Sequence, residues 1–280
     1  MSPYAFSDGA VTGAEYLFFL APTCPGTYPP GVHAAAAVWL AVRMENAGQT
    51  VGWDGAVNAW HVAGGVFRMG RREWLTETGW QNAYDDGVRT VVDLRNPHEV
   101  QRRDTDPSVP ESAWSGVRIL SAPTEEPGDP RLAAVCGPYL NDPAHYPHNV
   151  RLYPEKFVDV FRAIASAPAA VAIHCAAGRD RSGMVAAMLQ DLAGDPDGLI
   201  ADGYIRAARG INERYRTHGP PHARERYMED AELDPLLEQR GRTVVEFVRE
   251  LDTRSFLLRN GLDAADLAAL LKLLTRRVRL

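Results

Sequence analysis

His174-Cys175-Ala176-Ala177-Gly178-Arg179-Asp180-Arg181-Ser182-Gly183 sets a cysteine and an arginine six positions apart around a glycine-containing loop. The apolar run before it, Ala169 to Ile173, reads as a buried strand, and Ser182 to Leu192 after it reads as a helix. A strand-to-helix junction of this kind belongs to an α/β fold, and its helix opens with backbone N–H groups that lack intrahelical partners. An oxyanion fits there. Successive N–H groups of Ala176, Ala177, Gly178, Arg179, Asp180 and Arg181 are expected to form a phosphate-binding nest, and Gly178 permits the backbone dihedrals such a curve requires. Arg181 is expected to close the ring with a bidentate grip.

Cys175 falls at the base of this nest. Helix N-termini and neighbouring arginines lower a cysteine pKa from ~8.5 to between ~3.5 and ~7.5, so the spacing predicts a thiolate that attacks phosphorus and forms a phosphocysteine. Ser182 is placed to donate a hydrogen bond to the sulfur. The loop donors and Arg181 supply the charge stabilisation a metal would otherwise provide, so neither a metal nor a cofactor is expected. Arg179, facing outward, is a candidate for meeting a second phosphate. The competing reading is an inert buried thiol beside a helix-start charge.

Upstream, Gly87-Val88-Arg89-Thr90-Val91-Val92-Asp93-Leu94-Arg95 reads as a strand whose apolar residues suit a buried parallel sheet. Functional groups gather at the carboxyl ends of such strands, so Asp93, Arg95 and Cys175 are expected on one rim. Asp93 and Arg95 form either a salt bridge beneath the loop or a direct substrate contact. Asp180 is the first candidate for the acid that protonates the leaving group, Asp93 the second, and Asp129 and Asp142 are weaker ones on connecting segments.

These residues resemble a known family. The loop is similar to the Cys-x5-Arg-Ser/Thr signature of cysteine-dependent protein tyrosine phosphatases, and to the His-Cys-x-x-Gly-Lys-Asp-Arg-Thr-Gly loop of a bacterial subfamily. Members of that subfamily act on phosphotyrosine, phosphoserine/threonine or phosphoinositides. This chain carries Arg179 for the Lys and Ser182 for the Thr. The resemblance extends to the Asp93-Leu94-Arg95 strand followed by Glu99, to Ala201-Asp202-Gly203-Tyr204, and to a terminal helical cap over Phe256 to Leu274. It also takes in Val57-Asn58-Ala59-Trp60-His61-Val62-Ala63-Gly64-Gly65 and Val66-Phe67-Arg68, where Trp60 and His61 replace the family's Arg and Asp. That departure puts the segment's substrate-positioning role in question.

The resemblance implies a phosphotyrosine phosphatase II-like fold, a mostly parallel central sheet flanked by helices with a helical insert. It implies a protein-tyrosine phosphatase. The alternatives are a phosphoinositide or small-metabolite phosphatase of the same mechanism, or a non-catalytic phosphate-binding pseudophosphatase. His174 and Arg95 are supporting residues on this reading.

The domain is assigned to residues 51–280, with residues 1–50 an extension packed on it and containing a helix over Ala34 to Asn46. A net charge of −6 supplies no global field toward nucleic acid or an anionic membrane. The resemblance implies a phosphorylated protein, lipid or small molecule as partner, and the charge gives no expectation of nucleic acid or stable membrane insertion. Cys24, Cys136 and Cys175 are too few and too odd in number for a disulfide framework, which points to a reducing compartment. No apolar stretch reaches the ~20 residues of a spanning helix or follows a basic leader, so the location expected is cytoplasmic, export by routes without a cleavable signal aside.

Further helices are expected from Thr76, as N-cap, to Asp86, and over Pro154 to Ser166. Residues 96–150, rich in Pro, Asp and His, read as long surface connections with one strand at Val117 to Leu120, and His145 and His148 as loop histidines. The charged run Arg206 to Arg242 reads as a solvated helical face. The resemblance offers a lid there instead.

Overall fold

The computed structural model describes residues 48–137, 140–221 and 223–276. The chain divides into the units Met1–Asn46 and Ala47–Leu280. The expected N-terminal extension, with its Ala34 to Asn46 helix and Cys24, lies almost wholly outside the described residues.

Among the described residues five strands, β1 (Trp60–Ala63), β2 (Val66–Met69), β3 (Val88–Asp93), β4 (Arg118–Ser121) and β5 (Ala170–His174), form one sheet in the order β1-β2-β5-β3-β4. Strands β2, β5, β3 and β4 run parallel, and β1 alone pairs antiparallel, with β2. β5 is buried at every position because the sheet is covered on both faces. Val171 and Ile173 enter the larger apolar cluster, while Ala170 and Ala172 enter a smaller one with Phe67, Met69, Trp80 and Val91. That two-sided burial is why the run reads as unbroken apolar rather than alternating.

On the smaller face lies α1 (Glu77–Asp85), where the Thr76 hydroxyl accepts from the Gly79 N–H and Gly87, at φ 89°, ends the turn. The larger face carries α4 (Pro154–Ala165), α5 (Arg181–Ala193), α6 (Asp197–His218) and α7 (Asp230–Leu251). Phe157, Phe161 and Ile164 of α4 are fully buried, each contributing about 1.5–3 kcal/mol of apolar burial.

Two readings of the sequence, those of residues 96–150 and of Arg206 to Arg242, are corrected. Residues 96–150 are not mainly surface connection: besides β4 they hold α2 (Pro130–Cys136), α3 (Tyr146–Leu152) and several single 3-10 turns. Asp129-Pro130 and Asp142-Pro143, which look like turn signals, are N-cap and first-turn pairs, each Asp accepting from a backbone N–H. The terminal cap is two helices, α8 (Thr253–Arg259) and α9 (Ala264–Leu274), broken at Asn260-Gly261, where Gly261 has φ 102°. The charged run Arg206 to Arg242 is not one solvated face. It spans the end of α6, an eleven-residue connection at 219–229, and the start of α7, with Ile211, Leu233 and Leu237 in the core.

Parallel pairing places the end of β5 between β2 and β3, with Met69 and Asp93 both in register with His174. Cys175 therefore emerges at the middle of the sheet's carboxyl rim.

Candidate active site

The loop from Cys175 to Arg181 is held from outside by its carbonyls. Arg71 donates its backbone N–H to Ala176 O at 3.0 Å, and Asn58 Nδ2 donates to Ala177 O at 2.9 Å. Arg68 Nη2 donates to Gly178 O at 2.6 Å and to Arg179 O at 3.2 Å. Four consecutive carbonyls are thus engaged by donors from neighbouring segments, and among the described residues the peptide N–H groups of Ala176 to Arg181 have no protein acceptor. Gly178 sits at φ 70°, and a Cβ there would stand 2.7 Å from Gly70 N and 2.8 Å from the Met69 carbonyl carbon. Both the dihedral and the close backbone approach demand glycine.

The segment whose role the departures at Trp60 and His61 put in question is part of this support. Asn58, in the left-handed region at φ 58°, clasps Ala177 O and, at 3.0 Å, Ala207 O of α6. Trp60 backs the buried Arg68 guanidinium at 5.2 Å. Burial lowers the Arg68 pKa to about 10, which leaves it a cation at neutral pH. His61 is turned away, its Nε2 2.6 Å from Gly64 O.

Cys175 is buried, with Sγ 3.4 Å from Ser182 Oγ. The Arg181 guanidinium donates to both Glu99 oxygens, at 2.6 and 2.7 Å, and to Glu125 Oε1 at 3.3 Å. Glu99 is itself fixed by the Asn96 N–H at 2.9 Å. Arg181 is thus aimed across the loop by a carboxylate on its Nη edge. Burial works against the Glu99 charge, yet Arg181 holds that carboxyl below the usual range. Burial raises Glu125 against the pull of Arg181. Nothing in the composition or spacing around Pro123-Thr124-Glu125-Glu126-Pro127 singles Glu125 out.

Asp180 is buried at the start of α5. Its Oδ2 accepts from Arg179 Nε at 3.0 Å, while its Oδ1 has no hydrogen-bond partner. Burial raises its pKa, with Arg179 acting in the opposite direction. Arg179 does not face outward as expected: it is 6% exposed and donates to Glu225 at 2.8 and 3.2 Å. Its charge is spent on Asp180 and Glu225, which the sequence order, with Glu225 46 residues away, does not reveal.

Asp93 is enclosed by cations. Arg95 donates to it from N, Nε and Nη2 at 3.1, 2.9 and 2.7 Å, and Arg72 Nη1 at 3.1 Å. Arg95 continues to Glu73 at 2.9 and 3.1 Å. Despite burial, Arg95 holds Asp93 low and Glu73 at about 2. His174 Nε2 lies 3.4 Å from Asp93, and burial lowers the imidazole to about 4, so it is neutral. This is the salt-bridge arrangement beneath the loop. Asp129 pairs with Arg131 and caps α2, and Asp142 pairs with Arg240.

A cavity of about 400 Å³ stands over the loop, with Cys175, Ala176, Ala177, Arg179, Asp180 and Arg181 in its floor. Trp74, Ile211, Tyr215, Gly219, Pro220, Pro221 and Glu225 line it as well. A neighbouring cavity of about 750 Å³ shares Arg71, Glu99, Arg103, Ala176 and Arg181 but does not reach Cys175. The smaller one is the candidate site. Asp93 and His174 line neither. Among the described residues no group of His, Cys, Asp and Glu is arranged to hold a metal ion.

A model of the tyrosine phosphatase family matches residues 52–276. No curated protein matches the sequence. Among solved structures, the core catalytic domain of the PP-IP phosphatase SIW14 from S. cerevisiae, in complex with citrate, shares 14% identity at a TM-score of 0.34, covering 65% of this chain and 91% of that one. TpbA from P. aeruginosa shares 18% at 0.33, covering 72% and 90%. Tk-PTP in its active form shares 19% at 0.29, covering 68% and 99%.

Proposed function

The chain belongs to the tyrosine phosphatase family, and from that premise we propose that it hydrolyses phosphate monoesters through a phosphocysteine at Cys175. What supports this reading is the loop itself: the N–H groups of Ala176 to Arg181 are left without protein acceptors beside the buried Cys175, and Glu99 holds Arg181 by its two Nη atoms.

The Cys175 sulfur attacks phosphorus in line, forming the S–P bond as the P–O bond to the leaving group breaks. The loop donors and the free edge of Arg181 stabilise the equatorial oxygens. Asp180, whose pKa burial raises and which lines the same cavity, gives its proton to the leaving oxygen. Water then attacks phosphorus, Asp180 takes its proton back, and the sulfur departs with the Ser182 hydroxyl donating to it. Asp93, Arg95 and His174 are positioning residues that fix the rim on which the loop is mounted.

The walls of Trp74, Ile211 and Tyr215 suit an aryl group, which supports a phosphotyrosine side chain as substrate. Surplus positive charge in the cavity favours a second reading, a phosphorylated polyol or lipid headgroup. The free thiols at Cys136 and Cys175 fit a reducing, cytoplasmic setting. The test is Cys175→Ser. Phenyl phosphate turnover should fall on the order of 10³-fold or more with the circular dichroism spectrum retained; a variant that keeps a tenth of the rate would exclude the thiol mechanism.

A further inference from the structure

Arg181 carries its charge between two buried acids. Its Nη1 donates to Glu99 Oε2 at 2.6 Å and to Glu125 Oε1 at 3.3 Å, while its Nη2 donates to Glu99 Oε1 at 2.7 Å. Glu99 alone takes the two-pronged geometry that matches a guanidinium. Glu125, 7% exposed, is therefore a second acid on a cation that Glu99 already answers. A phosphoryl dianion seated at Arg181 adds further negative charge, and carboxylates crowded into one buried site do not all stay ionised.

The surroundings of Glu125 make it the acid that gives way. Burial raises its pKa, and the charges of Glu99 and Asp180 add to this, against Arg181 and the Asn149 amide. Burial also raises Cys136 of α2 and Tyr153 after α3, the other titratable groups that feel the Glu125 charge. Glu126 is paired with Lys156 at 2.7 Å. Glu125 shares the cavity of about 750 Å³ with His98, Arg102, Arg103, Asp129 and Arg224, and with Arg71 and Arg95, which are matched by Glu73, Asp106 and Asp93. On the far side of the carboxyl, Asn149 Nδ2 lies 3.4 Å from Glu125 Oε2, and Asn149 Oδ1, in a fully buried side chain, has no partner. A carboxamide donates to a carboxylate through its nitrogen and, turned about its Cβ–Cγ bond, accepts from a protonated carboxyl through its oxygen. Asn149 thus suits both states of Glu125.

We propose that Glu125 is the proton acceptor linked to phosphate binding: as a phosphoryl dianion settles against Arg181, one proton from solvent passes to Glu125, whose new O–H donates to Asn149 Oδ1. Arg181 then serves Glu99 on one edge and the phosphoryl group on the other. No other bond changes, and the proton returns to solvent when phosphate departs. This rests on the reading of the Cys175 loop as the phosphate-handling site. Glu125 lines the cavity of about 750 Å³ and not the one over Cys175. It therefore acts through Arg181 as a positioning residue, and the larger cavity is the route of the proton.

The experiment is calorimetric titration of the full-length Cys175→Ser, Asp180→Asn chain with sulfate in buffers of different ionisation enthalpy. Sulfate stays a dianion near neutrality, and the two substitutions remove the thiol and the other raised carboxyl as sources of protons. Binding at neutral pH should take up about half a proton or more, which weakens it about threefold or more for each pH unit upward. Adding Glu125→Gln should at least halve the uptake and flatten that pH dependence. A smaller uptake in the parent overturns the proposal, and so does an uptake that persists in Glu125→Gln, which would assign the proton to His98. Should Glu125→Gln fail to fold, difference infrared spectra of the parent decide: sulfate should add a protonated-carboxyl band, and no such band overturns the proposal. Sulfate that does not bind at all would strike the reading of the loop itself, whereas binding without proton uptake strikes the role of Glu125 alone.

Discussion

Asp180 and Asp93 are both buried aspartates on the same rim, yet their environments push them apart. Asp93 meets Arg95 and Arg72 and is held charged; Asp180 is raised by burial, with one oxygen unpartnered. Of the two, Asp180 is the one whose surroundings favour the protonated form, which is the environmental sorting by which paired carboxyls take different roles. Asp180→Asn should therefore slow hydrolysis of an alkyl or phenyl phosphate by about 10²-fold or more but that of nitrophenyl phosphate much less, because a good leaving group needs no proton. A uniform loss across leaving groups would return Asp180 to a structural role. The grouping of Cys175, Arg181 and Ser182 is legible because they fall within eight consecutive residues of chain. Glu99 was legible only as part of a motif, and Glu125 and Glu225 not at all, since their partners lie 56 and 46 residues away.

At the scale of elements, the loop is a junction clamped by its neighbours. β2 supplies Arg68 and, beyond it, Arg71; the turn before β1 supplies Asn58; the connection between α6 and α7 supplies Glu225. The strands and helices bearing strong apolar periodicity, β3, β5, α1 and α4, were readable from sequence to within a residue or two. β1 was not read, because Trp60-His61-Val62-Ala63 is too short for alternation to show. The Pro-rich stretch from 96 to 150 was misjudged because Asp-Pro caps a helix as readily as it starts a turn. The 219–229 connection is tied to the loop chiefly through the buried Arg179–Glu225 pair, with side chains 8% and 11% exposed. Breaking such a pair strands a charge, so Glu225→Ala should cost about 3 kcal/mol in urea unfolding at neutral pH. A loss below about 1 kcal/mol would mean that the connection is held by its other contacts.

For the domain as a whole, a buried ionic rim stands between two apolar clusters, one on each face of the sheet, and this sets a pH signature. His174 has a folded pKa of about 4, below its unfolded value of about 6.5. The unfolded chain therefore takes up the proton first. The contribution is fully present above about pH 6.5 and is lost, by up to about 3 kcal/mol, as the pH falls toward 4. Glu73, held at about 2, adds losses only at lower pH. His174→Gln should flatten the stability profile between pH 6.5 and 4, as read from urea midpoints, and an unaltered slope would place the transition elsewhere. The most direct measurement of the central claim is an acid quench of the enzyme during turnover of phenyl phosphate labelled in its phosphoryl group, followed by peptide mapping. The label should sit on the peptide bearing Cys175 and be absent in Cys175→Ser; label on any other residue, or undiminished turnover without it, would contradict the account.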